Sequence, residues 1–139
     1  MTNRQDHPGL PGTVALVTGA ARGIGAAVAT ALGRVGMIMT GVDVRDEPWE
    51  GRAEPITRHL ADVRDPGQVD AVVGRIENEL GPIGVLVNVA GVLRTDGVAD
   101  FSAEHHRMAQ TYAAERCAAM LAAVRVRRLL TASAAHAAR

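Results

Sequence analysis

The sequence predicts an α/β domain built on a doubly wound parallel sheet. Three observations carry this. Short apolar runs rich in Val, Ile and Leu alternate with segments of helical period, the pattern of strands joined by crossover helices. The first run, Val14-Ala15-Leu16-Val17, leads directly into Thr18-Gly19-Ala20-Ala21-Arg22-Gly23-Ile24-Gly25 and then into a helical segment. Strand, glycine turn and helix in that order make a phosphate cradle, because the turn lets backbone approach an anion and the helix start offers unpaired N–H groups. Asp43 ends the next apolar run, 18 residues after Gly25, where a carboxylate can accept hydrogen bonds from a ribose 2′-hydroxyl. That pairing points to a dinucleotide, and to NAD rather than NADP.

Taken in order, residues 1–12 contain Pro8, Gly9, Pro11 and Gly12 and read as a flexible lead. Residues 13–18 read as a buried strand. From Gly23, the apolar positions Ile24, Val28, Ala31, Leu32 and Val35 fall on one helical face, and Gly36 closes the helix. Residues 37–43 read as a second strand. Pro48, Gly51 and Pro55 make 44–55 a loop, and Ile56 to Leu60 a short third strand. Asp65-Pro66-Gly67-Gln68 is a helix start: Asp65 caps, Pro66 suits the first helical position, and Gln68 lies three residues after the cap. Val69, Val72, Val73, Ile76 and Leu80 give that helix its apolar face, and Gly81-Pro82 ends it. Val85-Leu86-Val87 is a fourth strand. A ragged helix is expected from Ser102 to about Val124, and a fifth strand at Leu129-Leu130-Thr131. Residues 13–139 are read as one domain.

The bulk numbers exclude several classes of function. Fifteen basic and 15 acidic residues balance, so nothing draws the chain to nucleic acid or to an anionic membrane. No apolar run has the roughly 18 residues of a membrane span. One cysteine, Cys117, allows no internal disulfide, and the polar N-terminus lacks the apolar segment of a signal peptide, so a cytoplasmic location is expected. Aromatic residues are limited to Trp49, Phe101 and Tyr112, so the core rests on Val, Ile, Leu and Ala.

In the cradle, Gly19, Gly23 and Gly25 are expected around the pyrophosphate, with Arg22 and Ile24 lining the turn and Asp43 on the adenosine ribose. The plainer alternatives are a tight strand-to-helix turn and a strand-end turn at Asp43; the register of the motifs favours the nucleotide. Asn88, at the end of the fourth strand, can also tie neighbouring strand ends through its amide. His105 and His106 are adjacent, point about 100° apart on a helix and do not converge on a metal, so no metal is expected. Cys117 reads as a small apolar residue, and Arg125, Arg127 and Arg128 as a solvated face, since no aromatics interleave.

These residues resemble the short-chain dehydrogenase/reductase family, whose nucleotide turn is Thr-Gly-x-x-x-Gly-x-Gly. Ala61-Asp62-Val63 is similar to the family's Asp-Val pair after the third strand, which implies that Asp62 and Val63 flank the adenine. Asn88-Val89-Ala90-Gly91 is similar to its Asn-Asn-Ala-Gly element, with Val89 in place of the second Asn. This implies that Asn88 and Ala90 lie along the nicotinamide. The resemblance implies a Rossmann-like fold and a nicotinamide cofactor. Gly91-Val92-Leu93-Arg94 is similar to one branch in particular, which implies a cyclic dihydrodiol acid as substrate, with 2,3-dihydro-2,3-dihydroxybenzoate oxidised to the catechol in siderophore synthesis. Arg94 could then meet the substrate carboxylate, or be a solvated loop residue.

The family's chemistry uses a Ser, a Tyr-x-x-x-Lys pair and an Asn. A phenol beside an ammonium has a lowered pKa and can exchange protons near neutral pH. This chain contains no lysine, and its one tyrosine, Tyr112, is followed four residues on by Arg116, which cannot relay a proton. Glu115 stands where the family's Asn is expected. Leu130-Thr131-Ala132-Ser133 is similar to the fifth strand and active-site serine, which implies Ser133 as the catalytic serine. The chain is therefore read as the N-terminal half of such an enzyme, incomplete at the C-terminal end of its sheet and poorly preserved over 103–139. Turnover is not expected from it. The family's oligomer contacts are expected in the half that is missing. The alternatives are a non-catalytic NAD-binding fragment and a truncated reading of a longer gene.

Overall fold

A computed structural model describes residues 9–50, 56–91 and 128–131. The elements, in chain order, are β1 (Val14–Thr18), α1 (Gly23–Arg34), β2 (Ile38–Asp43), β3 (Ile56–Leu60), α2 (Pro66–Leu80), β4 (Ile83–Asn88) and β5 (Arg128–Thr131). The strands form one parallel sheet in the order β3-β2-β1-β4-β5, the expected doubly wound Rossmann-like arrangement. The expected helix over 102–124 lies outside the described residues.

Both sheet faces are covered, which is why the strands read as apolar runs rather than as alternating ones. Val14 and Leu16 of β1, Val42 of β2 and Leu86 of β4 pack with Val69, Val72, Val73 and Ile76 of α2. Ala15 and Val17, Met39, and Val85 and Val87 face the other way and pack with Ala20, Ala21 and Ala29 around α1. Each fully buried Val or Ile of α2 contributes about 2 kcal/mol.

The helix ends follow local chemistry. Asp65 Oδ1 accepts the amides of Gly67 at 2.9 Å and Gln68 at 3.3 Å, while the Gln68 side chain donates back to Asp65 Oδ2 at 3.1 Å and accepts the Asp62 amide at 2.9 Å. α1 closes as expected at Gly36: the Gly36 amide donates to Gly33 O and that of Met37 to Leu32 O, with Gly36 at φ +91°, a left-handed cap that suits glycine.

The expected apolar face of α1 needs correcting. Gly25, Ala26 and Ala29 are its buried residues. Val28, Leu32 and Val35 pack at the flank, and Ile24 and Ala31 are exposed. The helix start lies so close to the preceding turn that only small side chains fit beneath it. A Cβ on Gly25 would meet the carbonyl of Gly19.

Two segments outside the regular elements are fastened to the domain. Of the lead expected over 1–12, residues from Gly9 onward are described; the Gly12 amide donates to Gly36 O at 2.9 Å, and Thr13 Oγ1 to Gly9 O at 3.0 Å. After β2, the described residues 44–50 carry no helix. Instead Trp49 is buried against the α1-side core, its indole lying where a Gly41 side chain would stand. Its Nε1 donates to Arg45 O at 2.9 Å, and the Arg58 guanidinium lies 5.9 Å from the ring centroid, a cation–π contact.

Candidate functional site

The strand order reverses at β1: β2 and β3 are added on one side of it, and β4 on the other, all parallel. In open parallel sheets the crevice for a ligand opens at this point, at the carboxyl ends of the strands. The β1–α1 turn occupies it.

Glycine is required at two positions in the turn for different reasons. Gly19 has φ +68°, and a Cβ there would stand 2.8 Å from the Ala90 Cα and N, so the turn closes directly on the backbone after β4. Gly23 has φ +59° and nothing within 4 Å of a built Cβ; it faces open space beside the start of α1. A cradle closed on the protein side and open on the other fits a dinucleotide diphosphate.

The turn's amides divide into two sets. Gly19 and Ala20 donate to Val42 O, at 2.8 and 3.4 Å. Ala21 donates to Asp43 Oδ2 at 3.1 Å, and Gly23 to Glu50 Oε2 at 3.0 Å. The first-turn amides of Ile24 and Gly25 have no intrahelical acceptor, as at any helix start. Gly19 thus shapes the turn through its conformation, while donors for an anion lie at the helix start.

Asp43 closes β2 beside the turn. Besides the Ala21 amide, it accepts that of Arg45 on Oδ1 at 3.1 Å. Its carbonyl accepts the Ala61 amide at 3.0 Å, which brings the Asp62–Val63 pair to the same edge. Asp62 holds Arg64 in a bidentate pair, with contacts of 2.7 to 3.0 Å, and Val63 packs partly against the α2-side core. Beside Asp43, Val44 is 63% exposed and Leu60, the register partner of Asp43 on β3, is 55% exposed; Ile24, at the start of α1, is 46% exposed.

On the β4 side, Thr18 organises the strand ends. Its Oγ1 donates to Asn88 Oδ1 at 3.4 Å and accepts the amides of Val89 and Ala90, at 3.1 and 3.2 Å. Asn88 ties the ends of β1 and β4 together through this hydroxyl. Its buried Nδ2 has no partner among the described residues, leaving a donor at the crevice. Ser133, Arg94, Tyr112, Glu115, Cys117, His105 and His106 lie outside the described residues.

Sequence reasoning missed Thr18 as an organiser, although it opens the glycine motif. It also missed Trp49 and Glu50, whose segment lacks periodicity; a lone tryptophan in a chain so poor in aromatics was the available signal. Away from this edge, His59 of β3 is buried and its Nε2 has no partner among the described residues. Burial holds its pKa below the usual 6.5, with Glu79 opposing and Arg75 adding to the shift.

Comparison with known proteins shows the family and the fold. A family model for short chain dehydrogenases matches residues 13–136. The 2,3-dihydro-2,3-dihydroxybenzoate dehydrogenase of Bacillus subtilis strain 168 is 46% identical over 93 residues, covering 62% of this chain and 36% of that protein. Among solved structures, a short chain dehydrogenase from Burkholderia cenocepacia in complex with NADP superposes with a TM-score of 0.66 at 26% identity, over 82% of this chain and 50% of that one. The 2-keto-3-deoxy-D-gluconate dehydrogenase of Streptococcus agalactiae does so with a TM-score of 0.67 at 28% identity, over 84% and 46%. The chain thus spans little more than a third of the curated relative and about half of the solved chains.

Proposed function

The chain belongs to the short-chain dehydrogenase family, and we propose that its glycine turn and Asp43 hold NAD as the nucleotide-binding part of a dihydrodiol-acid dehydrogenase. The observation that carries this is the seating of Asp43 against the turn, with Oδ2 on the Ala21 amide at 3.1 Å. In this reading the amides of Ile24 and Gly25 meet the diphosphate, and Gly19, Gly23 and Gly25 leave it room. Arg22, exposed at the helix start, lines the same opening. Asp43 takes the adenosine ribose hydroxyls and repels a 2′-phosphate, which selects NAD over NADP. The exposed Val44 and Leu60 join Asp62 and Val63 around the adenine. Asn88 and Ala90 border the nicotinamide.

When bound, NAD would supply the hydride acceptor for oxidation of a substrate carbinol carbon. By analogy with the Bacillus relative, the substrate is a cyclic dihydrodiol acid such as 2,3-dihydro-2,3-dihydroxybenzoate, in catechol siderophore synthesis, with Ser133 orienting the reacting oxygen. Balanced charge and a single cysteine accord with a cytoplasmic enzyme that has no nucleic-acid or membrane partner, and the whole enzyme is read as an oligomer. Calorimetric titration tests the cofactor: NAD is expected to bind at least about tenfold more tightly than NADP, the difference one well-made charged contact supplies. Equal affinity would remove the selection by Asp43.

A second reading rests on the absence of lysine from the sequence. Without a Tyr-x-x-x-Lys pair, these 139 residues hold the nucleotide but do not turn it over. Formation of NADH from the dihydrodiol acid by this chain would exclude that reading.

A further inference from the structure

Glu50 straps the loop after β2 across the glycine turn. Its amide donates to Ala21 O at 2.8 Å, and its carboxylate accepts the Gly23 amide at 3.0 Å. Buried Trp49, fastened to Arg45 O, anchors the strap one residue earlier. Arg22, the N-cap residue of α1, makes no side-chain cap bond. The cap comes from Glu50 instead, an anion at the positive end of the helix dipole.

The helix start that Glu50 occupies is also where the proposed nucleotide reading places a diphosphate. Glu50 holds the Gly23 amide, next along the chain to the Ile24 and Gly25 amides that this reading gives to the diphosphate, and two anions side by side at one helix start repel. We propose that Glu50 is a resident competitor for the diphosphate: it caps α1 while the site is empty and is displaced as nucleotide enters, lifting the 44–50 loop from the turn. Because the strap holds the carboxylate in place, it competes at high effective concentration. Asp43 has no such role, since its bonds to Ala21 and Arg45 hold it at the end of β2. This inference rests on the nucleotide reading of the turn.

The test uses the full chain and Glu50→Gln. Glu50 is exposed, so the substitution removes charge while leaving an oxygen to accept the Gly23 amide. NAD is titrated calorimetrically and by the emission of Trp49, the chain's single tryptophan, next to the strap. Glu50→Gln is expected to bind NAD about two- to fivefold more tightly, the scale of one charge at a helix start. Saturating NAD is expected to shift Trp49 emission in the unsubstituted protein. If both proteins bind NAD with equal affinity, or the variant binds more weakly, the competitor role is overturned while the nucleotide reading stands. If neither binds NAD, both are overturned.

Discussion

The carboxylate of Asp43 and the amide of Ala21 meet at 3.1 Å, so the end of β2 is fastened to the turn that follows β1. The residue proposed to take the ribose is thereby part of the wall that shapes the glycine turn. Asp43→Asn keeps an acceptor but removes the charge. It is expected to raise the Kd for NAD about tenfold, the value of a charged hydrogen bond, and to narrow the preference over NADP. Calorimetric titration with both nucleotides checks this.

Thr18 joins β1 to the end of β4 through three hydrogen bonds, one to the Asn88 side chain and two from the backbone amides that follow. Thr18→Val is nearly isosteric but removes the hydroxyl that accepts the Val89 and Ala90 amides. A loss of about 2 kcal/mol in unfolding free energy is expected, read from urea denaturation. An unchanged midpoint would show that the hydroxyl is dispensable.

Two glycine substitutions are expected to act in opposite directions. Gly19→Ala places a Cβ 2.8 Å from Ala90 at a positive φ and should cost about 1–3 kcal/mol. Gly74→Ala, within α2 and with nothing near a built Cβ, should stabilise by about 0.5–1 kcal/mol. Thermal melts of the two variants check the contrast.

Stability should also depend on His59. Its folded pKa lies below the usual 6.5, so the buried ring prefers to be neutral. Above pH 6.5 the ring is neutral in both states and costs nothing. As the pH falls below 6.5, the unfolded imidazole takes up a proton that the folded one refuses. Stability is then lost until the lower folded value is reached. Melting temperature is expected to drop between pH 7.5 and 5.5, and to drop less in His59→Gln.

The regular elements were legible because their signals are local. Asp65-Pro66-Gly67-Gln68 announced the start of α2, and the capping bonds appear at those residues. The apolar stripe from Val69 to Ile76 is the buried face. The face of α1 was misread because close approach to the turn selects Gly25, Ala26 and Ala29 over bulkier neighbours, and hydropathy does not report distance. The strap at Trp49 and Glu50 is illegible for a related reason: the bonds of Glu50 reach back more than 20 residues, from a loop without period. The glycines and Asp43 were readable as a group because their spacing along the chain reflects one strand, one turn and one helix.

The most direct test of the central claim is a crystal structure of the chain grown with NAD. The account predicts the diphosphate on the amides at the start of α1, and a ribose hydroxyl within hydrogen-bond distance of Asp43. Density for NAD elsewhere, or a turn still closed by Glu50 with no adenosine beside Asp43 at saturating NAD, would contradict it.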